Sequence, residues 1–412
     1  MKRMISVEEA QKIILHEIKA MGLERVGLLQ ALGRILSEDV FSQRDLPPWD
    51  NSSMDGFAVR WQDVQGGSRT IPKNLKILEE IPAGTLPKKR VVQGTASQIM
   101  TGAPLPEGAN AVVMVEETQR QGNEVSIFGE VQDGENIRRR GENIRKGEMV
   151  LGRGTPIGPA GIGMLASVGR SFLTVFRVPR VAILATGNEL VEVDGEITPE
   201  KIINSNSFSL AAQIGECGAR YRLLGIARDT QEDVVSKLSQ GLDADLILVS
   251  GGVSVGSYDF VKQASQVLGA DLKFWKVALK PGAPLAFGLL QGKPFFGLPG
   301  NPVSSMVTFE LFVRPALLKM MGLPSWFRTQ LEVVVGKDLS NDTGKTYLIR
   351  VMVERVGDQY VATPSGEQGS GILMSMVKAN GLLILPEKQR KVNAGERCRV
   401  LLLDQHIPDQ KK

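Results

Sequence analysis

The chain has 412 residues, too many for one ordinary domain, and 42% of them are hydrophobic, enough for several cores and too many for wholesale disorder. Its 49 basic residues against 45 acidic ones leave a net charge of +4, too balanced to signal nucleic-acid binding. Two isolated cysteines, Cys217 and Cys398, argue against a disulfide framework, and His16 and His406 near opposite ends argue against a His-based triad or a Cys/His zinc site. Any metal would then be held by oxygen ligands, which points to a hard cation such as Mg2+.

Taken in chain order, Ser6-Val-Glu-Glu9 resembles a capping box that opens an amphipathic helix through Met21. Val7, Ala10, Ile14, Ile18 and Met21 fall close to one face, and residues 1–40 read as helical. There is no apolar export segment at the start and no stretch long enough to span a bilayer, so a cytoplasmic setting is expected. From 46 to about 140, short strands and Pro/Gly turns predict a small β-rich module. Gly134-Glu-Asn-Ile-Arg138 and Gly141-Glu-Asn-Ile-Arg145 are near copies, but two copies are too few for a repeat architecture.

Between 179 and 321 apolar strands alternate with helical patterns. Strands are expected at 181–185, 221–226, 246–250, 274–279, 285–290 and 295–298, and helices near 206–217, 231–240, 259–268 and from Asn301. That alternation predicts a mostly parallel sheet covered on both faces. Beyond about Leu323 the pattern returns to period two, as at 347–353 and 397–403, and predicts a second β module.

Three of the predicted strands empty into glycine turns. They are Thr186-Gly187 leading to Glu189, Ser250-Gly251-Gly252-Val-Ser254-Val-Gly256 leading to Asp259, and Pro299-Gly300-Asn301-Pro302 leading to Ser304. Glycine lets backbone N–H groups approach an anion closely, and three such turns at one sheet edge point to a phosphate-bearing ligand. Asn301 suits a helix N-cap and Pro302 the first turn, which serves a plain core helix as well as an anion site. Asp259 can be an N-cap or a magnesium ligand beside a phosphate. Glu189 and Asp229 lie just past strand ends, where they could converge with it. Lys280-Pro-Gly282 is a stiff turn that aims a lysine at an oxyanion, or else a solvated hairpin. Asp55 in an Asp-Gly turn and the Arg138-Arg-Arg140 cluster carry little weight alone.

Together these segments resemble the molybdopterin molybdenumtransferase family, the MoeA and gephyrin E-domain group. The matching stretches run from Pro47-Pro-Trp-Asp-Asn-Ser-Ser-Met-Asp-Gly-Phe57 through Thr101-Gly-Ala-Pro104 and Asn136-Ile-Arg138 to Thr186-Gly-Asn-Glu189. They continue through the Gly251 loop and Lys280-Pro-Gly282 to Leu298-Pro-Gly-Asn-Pro302, in family order over nearly the whole chain. The resemblance implies a central three-layer α/β molybdopterin-binding-like domain at 179–322, with an inserted β-rich domain at 47–140. A discontinuous helical and linker domain at 1–46 and 141–178 and a C-terminal β-barrel-like domain at 323–412 complete it.

It further implies a homodimer in which Asp55 of one copy meets Glu189 and Asp259 of the other, these three holding a divalent cation. The implied reaction inserts molybdate into adenylylated molybdopterin and releases AMP, with transient contact to a molybdopterin adenylyltransferase and with neither nucleic acid nor membrane as partner. Asn143 and Asn188 stand where some members carry aspartate, and Ala283 where some carry a second lysine. Two other readings share parts of the pattern, a nucleotide or pyrophosphate hydrolase built on the same α/β domain and a non-catalytic molybdopterin-binding scaffold.

Overall fold

The computed structural model describes residues 4–253, 260–404 and 406–409, and the chain divides into two compact units. One comprises residues 26–32 and 38–173, the other the remainder.

The smaller unit is built on a six-stranded sheet whose neighbours run in the order Ala111–Met114, Gly56–Val59, Thr95–Ile99, Lys73–Ile81, Glu124–Ile127 and Thr118–Gln121. Phe57, Val59, Leu75, Ile77, Val113 and Val125 bury one face of it. The doubled Gly-Glu-Asn-Ile-Arg pattern has a local cause. In the turns starting at Gln132, Arg139 and Arg145 the third residue is a glycine with positive φ (83°, 71° and 90°). The fourth is a glutamate that returns a carboxylate oxygen to the first residue's N–H at 2.8, 2.7 and 3.0 Å. The larger unit uses the same turn at Asn393. What repeats is a turn, not an architecture.

In the larger unit, Ser6 Oγ accepts the Glu9 N–H at 3.1 Å and starts α1 (Val7–Glu17). The helix stops at Glu17 because Ile18 turns extended. Residues 18–40 are accordingly not helical but hold a short strand, Leu23–Gly27, and one 3-10 turn, Leu28–Ala31. This corrects the expectation: Ile18 and Met21 keep the apolar spacing, yet Gly22 and the left-handed Gly33 (φ 74°) break the run.

The α/β part follows the expected alternation: β1 (Arg180–Thr186), α2 (Ser205–Glu216), β2 (Arg220–Ala227), α3 (Gln231–Gln240), β3 (Leu246–Ser250) and α4 (Phe260–Val267). Then come β4 (Ala270–Lys276), β5 (Pro284–Leu290), β6 (Lys293–Leu298), α5 (Pro302–Thr308), a π-helical turn at Phe309–Val313, and α6 (Arg314–Met320). The sheet order is β2-β1-β3-β6-β5-β4, parallel from β2 to β6 and antiparallel beyond.

Odd and even residues of the central strands sort to opposite faces. Val181, Ile183, Leu246 and Leu248 pack with Leu210 and Ile214 of α2, while Ala182, Leu184, Ile247 and Val249 pack with Val234 and Leu238 of α3. Both faces are therefore covered, the arrangement that continuous apolar strands require. β2 is an edge, and its first four residues, Arg220 to Leu223, are exposed.

The remaining strands close on themselves. β7 (Gln330–Val335), β8 (Thr346–Val356), β9 (Gln359–Pro364), β10 (Gly381–Leu385) and β11 (Arg397–Leu402) pair in the ring β8-β9-β7-β11-β10-β8. Val333, Ile349, Val351, Leu383 and Val400 fill this five-stranded barrel.

Candidate active site

β1, β3 and β6 lie side by side and end at Thr186, Ser250 and Leu298, each followed by a glycine turn. Gly251 (φ 92°) and Gly252 (φ 65°) are left-handed. A Cβ on Gly251 would stand 2.5 Å from the Thr186 carbonyl oxygen, and one on Gly252 2.7 Å from Thr186 Oγ1. No side chain fits there, so the backbone itself forms the wall.

These turns border a cavity of about 780 Å³. It brings together Thr186, Gly187, Glu189, Asp229, Ser250, Gly251, Gly252, Pro299, Gly300, Asn301, Pro302 and Ser304, all singled out from the sequence. Ser254, Gly256 and Asp259 lie outside the described residues. Among the described residues that line the cavity, only Glu189 and Asp229 are charged. Asp229 is held by a reciprocal pair of bonds. Its Oδ2 accepts the Asn188 N–H at 3.1 Å, while Asn188 Oδ1 accepts the Asp229 N–H at 3.1 Å. Asn188 thus fixes the carboxylate beside the cavity rather than supplying one.

Several buried hydroxyls face this space. Among the described residues, Thr186, 4% exposed, has no partner for its Oγ1, and Ser250, 2% exposed, only accepts, from Asn206. Asn301 occupies the N-cap of α5, with Pro302 in the first turn, but makes no capping bond with its side chain. Its Nδ2 donates instead to Ser370 Oγ at 2.9 Å, tying the turn to the loop before Gly371.

Lys280 is outside these walls. Its Nζ stands 4.4 Å from the centre of the Tyr347 ring, a cation–π contact. Near it lies a residue that sequence reasoning missed. Arg350 is fully buried, donates to Ser375 Oγ at 3.1 Å and the Gly369 carbonyl at 3.0 Å, and leaves Nη1 without a partner among the described residues. Burial holds its guanidinium below its ordinary pKa, and no described carboxylate pairs with it. An arginine at a strand position gives no sequence signal of this kind. Asn204, Asn206, Ile202 and Ile203 also line the cavity and were not anticipated, because they precede or begin a helix with no glycine to mark them.

Asp55 belongs to the smaller unit. Its Oδ1 accepts the Thr101 N–H at 2.7 Å and the Thr101 hydroxyl at 2.8 Å. The backbone donor first and the hydroxyl second hold its carboxyl below the ordinary value of 3.8. The sign follows: the bonds stabilise the fold above that ordinary value, and the contribution is lost as pH falls through the depressed one. Thr101→Ala keeps the backbone donor, so Asp55 should titrate higher than in the parent chain but still below 3.8, as read by NMR. An unmoved titration would mean that the hydroxyl bond does not form in solution.

Residues 5–169 match the MoeA N-terminal region (domain I and II), 182–319 a probable molybdopterin binding domain, and 332–403 the MoeA C-terminal region (domain IV). The molybdopterin molybdenumtransferase 2 of Mycobacterium tuberculosis is 38% identical over 403 residues, covering 96% of this chain and 99% of that one. The molybdopterin molybdenumtransferase of Bacillus subtilis is 36% identical over 404 residues, covering 97% and 94%. A crystal structure of a molybdopterin biosynthesis MoeA protein from Pyrococcus horikoshii superposes with a TM-score of 0.83 at 31% identity, covering 98% of this chain and all of that one.

Proposed function

The chain belongs to the molybdopterin molybdenumtransferase family, transferases of molybdenum-cofactor biosynthesis, and on that premise we propose that its cavity binds adenylylated molybdopterin, accepts molybdate and releases AMP. The observation that carries this reading is the mismatch between the cavity's donors and its charges. Glycine-turn backbone and the hydroxyls of Thr186 and Ser250 suit phosphate oxygens, yet the charged groups among the described walls are carboxylates. A phosphoanhydride beside Glu189 and Asp229 needs a cation between them.

The donor set is all oxygen and suits a hard divalent ion such as Mg2+; Glu189 would hold it, with Asp259 and the Asp55 of a second copy retained as further ligands. Bound there, the ion would neutralise phosphate charge. The chain's own groups orient the anhydride and hold its oxygens. As water adds to one phosphorus and the P–O–P bond breaks, the Asp229 carboxylate takes the proton from the water. AMP leaves, and molybdopterin keeps its terminal phosphate. Molybdate, a dianion, is drawn to the exposed Lys280 ammonium beside the Tyr347 ring. Homodimerisation, a cytoplasmic setting and hand-over from a molybdopterin adenylyltransferase belong to the same proposal.

The test is one assay with adenylylated molybdopterin, with and without Mg2+, and with molybdate, tungstate or no oxyanion. AMP release and recovery of metal-bearing cofactor are followed together. Mg2+-dependent AMP release with cofactor formation is expected, reduced at least 100-fold in Asp229→Ala. Lys280→Ala is expected to raise the oxyanion concentration needed for half-maximal rate several-fold. AMP release without metal insertion would favour a hydrolase instead, and no turnover under any condition a binding role.

A further inference from the structure

α2 begins at the cavity. Asn204, 2% exposed, caps it by accepting the Ser207 N–H at 3.2 Å and donating to Ser207 Oγ at 2.9 Å. Two residues further, Asn206 spends both amide protons, one on Ser250 Oγ at 2.9 Å and the other on the Gly300 carbonyl at 2.7 Å. Ser250 ends β3 and Gly300 lies in the turn before α5, so a single side chain ties the strand end to that turn. The direction of the first bond is fixed by chemistry. An amide nitrogen can only donate, so the Ser250 oxygen must accept, and the serine's own proton is left over. No described residue accepts that proton, although Ser250 is 98% buried and borders the cavity. A buried donor left unspent is costly unless something arrives to take it.

We propose that Asn206 is a positioning residue of the phosphate site: by occupying the Ser250 oxygen it turns the Ser250 hydroxyl proton toward an oxygen of the bound phosphoanhydride. The inference rests on the cavity being the phosphate site proposed above. It assigns direct contact to Ser250 and an indirect part to Asn206. A purely structural Asn206 would serve only the Gly300 tie, and its loss would then add to that of Ser250. A double-mutant cycle separates the two roles, because residues acting through one contact are not additive.

The experiment is calorimetric titration of the full chain with AMP and, separately, with pyrophosphate, both in Mg2+. Asn206→Ala, Ser250→Ala and the double variant are compared, with Asn206→Leu as a second variant that keeps the side-chain volume without a donor. Thermal unfolding is recorded for each. Each single variant is expected to bind about 10-fold more weakly, and the double variant no more than about 10-fold, at unfolding temperatures close to the parent's. A double variant weakened by about 100-fold, or an Asn206→Ala and Asn206→Leu pair that binds like the parent, would overturn the positioning role alone. A parent chain that binds neither probe would overturn the phosphate reading of the cavity, and this inference with it.

Discussion

Gly251→Ala is expected to abolish AMP binding, weakening it at least 100-fold, in a chain that still folds. The added Cβ would lie 2.5 Å from the Thr186 carbonyl oxygen, a backbone atom that can move only if β1 or the turn moves. The position is also left-handed, at φ 92°, which costs a side-chain-bearing residue about 1–2 kcal/mol. Both effects act on the strip of backbone proposed to meet the phosphates, where an ångström of displacement is enough to lose oriented binding. Gly218→Ala is the control. Gly218 has φ 82° but nothing within 4 Å of its Cβ, so it carries the strain without the collision. Equilibrium binding of AMP to both variants checks the argument: equal, mild losses would mean that the Thr186 contact does not shape the site.

The second large effect is on stability. Glu310 sits in the π-helical turn with its side chain only 4% exposed. It accepts from Arg328 Nε at 2.9 Å and Gln213 Nε2 at 2.8 Å, with Arg314 Nε at 3.9 Å. Arg328 is itself 15% exposed and also reaches Glu216 at 2.8 Å. Glu310→Ala removes the central anion and leaves two largely buried guanidinium groups without it. Breaking a buried pair in this way costs about 3–5 kcal/mol, far more than the pair contributes over an apolar replacement. Urea unfolding should show the midpoint falling accordingly, and Glu310→Gln, which keeps an acceptor, should lose less. A change under about 1 kcal/mol would place this cluster with surface ion pairs, whose contribution is small.

The elements that were legible in the sequence are those with a local cause. The runs at β1, β3 and β6 are too apolar for anything but buried strands, and their terminal glycines mark where backbone must carry the contacts. The cavity wall was legible for the same reason: glycine, proline and serine at a strand end announce a turn. The helical expectation for 18–40 failed because periodicity there is real but short, and two glycines outweigh it. Asn206 and Arg350 were illegible, since each acquires its meaning from partners 44 and 25 residues away. The near-copies at 134 and 141 mark a turn whose glutamate closes on its own first residue, which local sequence does specify.

The open side of the α/β sheet bears on how the chain behaves when crowded. β2 offers a free row of backbone donors and acceptors, with Tyr221 and Leu223 exposed on it, to any other strand that drifts near. Arg220 and Arg222 interrupt that row, and Arg222 is drawn to Asp243, while its neighbours Arg177 and Arg180 pair with Asp245. Four arginines, Arg177, Arg180, Arg220 and Arg222, against two aspartates leave this edge net positive, which disfavours pairing with a second edge of the same kind. Lacking, among the described residues, a closing partner of the sort that seals the barrel, this strand discourages edge-to-edge pairing with its arginines.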